Sequence, residues 1–215
     1  MTQSTGLRRE PRLVTIEGGE GAGKSTVLAA LRAELERDGR VTCTREPGGT
    51  PLAERVRALL LERVDDAPCD RAELLLMFAA RAQLVCTLIE PALARGDWVL
   101  SDRFTDASHA YQGGGRGVDT RLIDVLERDF VGIEPGLTLL LDVPVDVGLA
   151  RMRGRGEADR IESERVEFFE RVRAAYLARA KAQTARFVVV DASRSAEEVG
   201  AQAVDALRRY KASLA

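Results

Sequence analysis

The chain has no asparagine, one histidine, one tryptophan and only three lysines in 215 residues. The missing asparagine excludes any nucleotide site that reads guanine through an Asn-Lys-x-Asp segment. Cysteine is scarce as well. Cys43, Cys69 and Cys86 are odd in number, far apart and never spaced C-x-x-C, which argues against a disulfide framework or a zinc site and suits reduced thiols in a cytoplasmic protein. No stretch offers the roughly 18 consecutive apolar residues of a membrane span. Met1 to Pro11 is polar, without the apolar core of a signal peptide. Positive charge is not in excess either. With 32 Lys+Arg against 34 Asp+Glu, a net charge of −2 leaves no basic footprint for a nucleic-acid backbone, so neither nucleic acid nor membrane is expected as a partner.

What is present describes a globular chain, 45% hydrophobic and 31% charged. Its length suits one domain, residues 12–213, after a flexible leader at 1–11. Short apolar runs at Leu13–Ile16, Val41–Thr44, Trp98–Leu100, Leu137–Leu141 and Phe187–Val190 read as strands. Helical patterns alternate with them: Val27, Leu28, Leu31 and Leu35 fall at helical spacing before Asp38-Gly39 stops the run, and others lie near 52–61, 71–94 with a bend near Pro91, 119–131, 144–152, 164–183 and 195–211. Such alternation predicts an α/β fold, a five-stranded parallel sheet with helices on both faces.

The segment Gly18-Gly19-Glu20-Gly21-Ala22-Gly23-Lys24-Ser25 fits G-x-x-x-x-G-K-[ST] between a strand and a helix. Glycines there let backbone N–H groups converge on phosphate oxygens, and the helix N-terminus adds positive potential. Lys24 supplies a compact charge for the β and γ phosphates, Ser25 a hydroxyl for magnesium, and Thr26 continues the ATP-binding stretch. A nucleoside triphosphate is therefore the expected donor.

Five further segments suggest the acceptor: Ile16-Glu-Gly-x-Glu-Gly-Ala-Gly-Lys-Ser25, Thr44-Arg-Glu-Pro-Gly-Gly-Thr50, Phe78-Ala-Ala-Arg-Ala-Gln83, Asp102-Arg-Phe104 with Ala110-Tyr-Gln-Gly-Gly-Gly-Arg116, and Arg155-Gly-Glu-Ala-Asp-Arg-Ile-Glu162. In this order they resemble the thymidylate kinase family from Leu13 to about Arg209. The resemblance implies a P-loop fold of the nucleoside monophosphate kinase type with a mobile lid near 152–162, transfer of phosphate from ATP to dTMP with Mg²⁺, and a homodimer. Arg103 would hold the acceptor phosphate, Asp102 would act near the metal, and Glu20 would serve the acceptor's 3′-hydroxyl or the metal. Arg45 would be a further acceptor contact. Phe78 would stack on thymine and Arg81 would donate to it, with Met77 as the alternative floor, because an aromatic four residues before the arginine is common in relatives. Ser108, Tyr111 and Gln112 would touch the base or sugar, Tyr111 crowding a ribose 2′-hydroxyl. Gly21 stands where some relatives carry a catalytic arginine, so the lid should supply it: Arg155, with Arg153 and Arg160 as alternatives. His109 matches no catalytic role and is expected at the surface or behind the site. A kinase for another small acceptor, or a P-loop switch, are the competing readings.

Overall fold

A computed structural model describes residues 6–152 and 159–214. Five parallel strands, β1 (Arg8–Gly18), β2 (Val41–Arg45), β3 (Trp98–Asp102), β4 (Ile133–Asp142) and β5 (Phe187–Asp191), lie in the order β2-β3-β1-β4-β5. β1 is longer than its apolar run suggests: Arg8 to Glu10 pair with Ile133 to Pro135 before the register shifts, so part of the expected leader is strand. Proline and charge hid this stretch at the start of both strands.

Alternation along the strands divides the core. Val14, Ile16, Leu139 and Leu141 face α1 (Lys24–Leu35) and α9 (Ala196–Ala212). Leu13, Val99 and Ile133 face the opposite layer, built from α3 (Asp70–Leu84), α4 (Glu90–Ala94) and α6 (Thr120–Leu126). Leu140 and Phe187 pack on α8 (Val166–Ala182) and on the segment led by α5 (Thr105–Ser108). The remaining helices are α2 (Pro51–Leu61) and α7 (Val145–Met152). Each fully buried leucine in these layers contributes roughly 2 kcal/mol of transfer free energy.

Three helices run on through widened, π-type turns: α3 through Val85–Ile89 into α4, α5 through His109–Gly115, and α6 through Glu127–Val131. The run Asp70–Ala94 is 25 residues and its most apolar 18-residue stretch has a mean hydropathy of 1.7, long and apolar enough by composition alone to cross a bilayer although charged residues interrupt it. Half of its most apolar window is buried in the fold, and it carries the buried, paired charges Glu73 and Arg81, which mark a core helix.

The register brings functional positions to one edge. Ile16 of β1 and Arg45 of β2 both lie opposite Asp102 of β3, at the carboxyl ends of the strands, where open α/β sheets hold ligands.

Candidate active site

The loop after β1 enters α1 through Gly23, in the left-handed region at φ 84°, and no side chain caps the helix. Its N-terminus therefore faces the cleft with its own partial positive charge. Lys24 folds back and donates from Nζ to the carbonyls of Gly19 (3.0 Å) and Gly18 (3.2 Å). Burial and then the Arg103 charge push its pKa down, while Glu20 pulls the other way. Gly21, at φ 69°, allows no side chain: a Cβ would run into the backbone of Gly148 on α7. The loop is thus held backbone to backbone.

Facing the loop is a cleft of about 260 Å³, bounded by Glu20 and Ser25, by Arg45 and Asp102 at the strand ends, by Met77 on α3 and by Gln112. Arg103 dominates it. It is the one non-glycine with positive φ (70°) among the described residues, a conformation costing roughly 1 kcal/mol or more. Its guanidinium donates to Glu20 Oε1 (2.6 Å) and to the Gly18 carbonyl (3.0 Å) and lies 4.7 Å from the centre of the Tyr111 ring. The Tyr111 hydroxyl donates to the same Glu20 oxygen at 2.7 Å. Burial alone would raise the Glu20 pKa, but Arg103 and Lys24 outweigh it and hold the group near 2. Glu20 is therefore ionised and occupies the anion-binding end of Arg103. Beneath it, Glu17 is fully buried, and desolvation followed by the Asp106 charge pushes its pKa up to about 8.

A second opening of about 440 Å³ continues from the other side of the loop, between Thr26 and the segment carrying Ala192, Arg194 and Ser195, with Arg151 beside it. A phosphate chain crossing the loop would thus have space at both ends.

The thymidylate kinase family model matches residues 16–203. A thymidylate kinase of Pseudomonas savastanoi pv. phaseolicola is 55% identical over 190 residues, covering 87% of this chain and 90% of that protein. One from Chromohalobacter salexigens is 56% identical over 194 residues, covering 88% and 92%. The chain belongs to the thymidylate kinase family. A crystal structure of thymidylate kinase from Ehrlichia chaffeensis superimposes with a TM-score of 0.76 at 31% identity, covering 94% of this chain and 99% of the other. The P-loop fold expected for that family, a five-stranded parallel sheet with helices on both faces, is the one observed.

For this family member, the structure brings Glu20, Lys24, Ser25, Arg45, Asp102, Arg103, Tyr111 and Gln112 together around one cleft, as the sequence suggested. Other expectations need correction. Phe78 is buried in the core with Leu74 and Leu84 and does not line the cleft; Met77, one residue earlier and about 100° around the helix, does. Arg81 is equally buried, its guanidinium engaged by Glu46 (2.6 Å), Ser108 (3.0 Å) and the Phe104 carbonyl (3.1 Å), so Arg81 and Ser108 support the wall from behind. Arg160 points away, donating to the Leu60 carbonyl and to Glu73 at 2.6 Å, and so fastens its own segment to α2 and α3. Arg153 and Arg155 lie outside the described residues. Of the two places expected for His109, the surface is ruled out: it is buried, with Nε2 3.1 Å from Glu127.

Three participants escaped the sequence reading. Arg57 lines the cleft and donates to the Pro47 carbonyl at 2.9 Å. Asp159 lines the cleft too and caps the turn that follows it through the amides of Ile161 and Glu162, both at 2.9 Å. Tyr176 reaches Arg103 from α8 at 3.3 Å. Arg57 lies three residues beyond Glu54 on α2, a signal that spacing could have given. Tyr176 offers none, since it lies 73 residues from its partner.

Proposed function

We propose that this chain transfers the γ-phosphoryl group of ATP to dTMP, giving ADP and dTDP. The observation that carries this is one cleft lined both by Lys24 and Ser25 of the phosphate loop and by Arg45, Arg57 and Arg103. Two anions approach each other there, and cations from both sides offset their repulsion. A nucleoside monophosphate oxygen is already largely ionised at neutral pH, its second pKa being about 6, so the attacking atom needs no general base. As the acceptor oxygen bonds to the γ phosphorus, the bond to the β–γ bridging oxygen breaks and that oxygen leaves with ADP. Tyr111 and Gln112 border the place where the sugar and base would lie, over Met77, and Tyr111 disfavours a ribose 2′-hydroxyl.

Magnesium fits the residues present. Asp102 lies in the cleft beside Ser25, and its Oδ1 is buried without a hydrogen-bonding partner, as a ligand oxygen awaiting a cation or its water would be. Ser25 and Asp102 would hold the ion, which when bound offsets charge on the phosphate oxygens. Arg155 is our choice for the lid's catalytic arginine, because Gly21 leaves the loop with none and Arg160 is committed to Glu73. We further read the protein as a cytoplasmic homodimer with no nucleic-acid or membrane partner; its three free thiols suit a reducing compartment.

The test is ADP release with dTMP, dUMP, UMP, AMP and dGMP as acceptors, repeated on Arg155→Ala. Expected are a clear preference for dTMP and, in the variant, a fall in kcat of about 100-fold or more with a smaller change in KM for dTMP. A purine preference, or turnover without any nucleoside monophosphate, would overturn the reading of the reaction. An unchanged kcat in the variant would remove Arg155 from it.

A further inference from the structure

Arg103 is held in a backbone conformation that a free arginine would rarely adopt, so neighbouring groups must impose it. The Arg103 amide donates to the Ile16 carbonyl at 2.9 Å, and the Ser101 hydroxyl donates to the Arg103 carbonyl at 2.6 Å. These fix the near side. The far side is fixed by one buried carboxyl. Glu17 Oε1 accepts from the Phe104 amide at 2.7 Å, immediately after the strained residue, and Glu17 Oε2 takes the Tyr176 hydroxyl at 2.7 Å. That hydroxyl is also the group 3.3 Å from the Arg103 guanidinium. Glu17 itself does not line the cleft. One side chain thus grips both the backbone that follows Arg103 and the phenol against which its head rests.

We propose that Glu17 is a positioning residue for Arg103, acting through the Phe104 amide and the Tyr176 hydroxyl. The proposal rests on the reading of Arg103 as the ligand of the acceptor phosphate. Its chemistry is a bridge between two donors that are 72 residues apart in sequence and would otherwise be buried without partners. Burial and the Asp106 charge push the Glu17 pKa up to about 8, which disfavours a second anion beneath Arg103. Glutamine can hold both groups with one bond reversed: its oxygen accepts from Phe104, and its NH₂ donates to the Tyr176 oxygen where the carboxyl oxygen accepted from that hydroxyl. Leucine can do neither.

Kinetics of the full-length enzyme with dTMP and ATP separate this from a merely structural role. Glu17→Leu is expected to lower kcat/KM for dTMP about 10- to 100-fold, as a displaced contact group would, while KM for ATP changes by about twofold or less. Glu17→Gln should restore most of the activity. Tyr176→Phe, which deletes one hydroxyl, should lower kcat/KM for dTMP about fivefold. Combined with Arg103→Ala, neither Glu17→Leu nor Tyr176→Phe should cause further loss, because the group they position is gone. A lower Tm with unchanged dTMP kinetics, or a defect that multiplies with that of Arg103→Ala, would overturn the proposal. If Glu17→Leu does not fold, the Tyr176→Phe pair decides alone. Arg103→Ala with unaltered dTMP kinetics would instead sink the reading of Arg103 as a phosphate ligand, a different failure visible in a different variant.

Discussion

Met77 and Phe78 are neighbours in sequence and belong to different parts of the molecule. About 100° of helix separates them, enough to place the thioether on the cleft and the ring in the core, where the Arg81 guanidinium lies 4.6 Å from its centre. Truncating each should therefore have opposite signatures. Phe78→Ala should cost about 3 kcal/mol of stability with little change in KM for dTMP at a temperature where the variant stays folded. Met77→Ala should raise KM for dTMP about tenfold at a small cost in stability, since it removes apolar contact from a ligand surface. Thermal denaturation paired with dTMP titration in the kinase assay distinguishes the two, and a KM effect confined to Phe78→Ala would reverse the assignment. The sequence could place both residues on the long helix but could not choose between them, because the direction of the cleft depends on which strands lie beneath. The phosphate loop was legible for the opposite reason. Its chemistry is local, and eight consecutive residues contain the turn, the amides and the cation.

At the scale of elements, the main surprise is the helical stretch from Thr105 to Gly115. Three consecutive glycines, Gly113 to Gly115, read as a loop by composition, yet they form the widened last turns of a helix pressed against α8. A Cβ on Gly114 would come within 2.6 Å of the Ala175 side chain and 3.0 Å of the Arg171 carbonyl, so the glycine serves close approach between helices and not a turn. Tyr111 and Gln112 ride on the same segment. Gly114→Ala should therefore do two things at once. Overpacking against α8 should destabilise by about 1–3 kcal/mol, and displacement of Tyr111 and Gln112 should raise KM for dTMP more than KM for ATP, whose loop is built on β1 and α1. Calorimetry together with kinetics on both substrates checks this, and a KM change larger for ATP would contradict it. The remaining helices and all five strands followed hydrophobic period closely, with ends extended where proline or charge masked the pattern, as at Arg8 and Ile133.

For the whole molecule, the arginine excess resolves into three uses. Some line the cleft, namely Arg45, Arg57 and Arg103; some tie buried carboxylates across the fold, as Arg186 does with Asp106 and Arg160 with Glu73; others make exposed pairs such as Arg32 with Glu36, worth little in water. No sequence count could sort these, since each depends on which acid lies opposite in three dimensions. The apolar surface of the long helix needs the same sorting. Leu74, Phe78, Leu84, Val85 and Ile89 are consumed by the core of one chain. What stays in solvent is Leu75, 59% exposed, together with Leu122, Val125 and Phe130 (62%) on α6 and its extension, which packs beside α3. Large apolar side chains exposed on two helical segments that pack together are the kind of surface a two-fold dimer buries. Light scattering should then give twice the 23.4 kDa of one chain, and Leu75→Glu combined with Phe130→Glu should return the mass toward that of the single chain while the fold, monitored by circular dichroism, persists. A wild-type mass of one chain at micromolar concentration would exclude the dimer, and a double variant still at twice the mass would place the interface on another face.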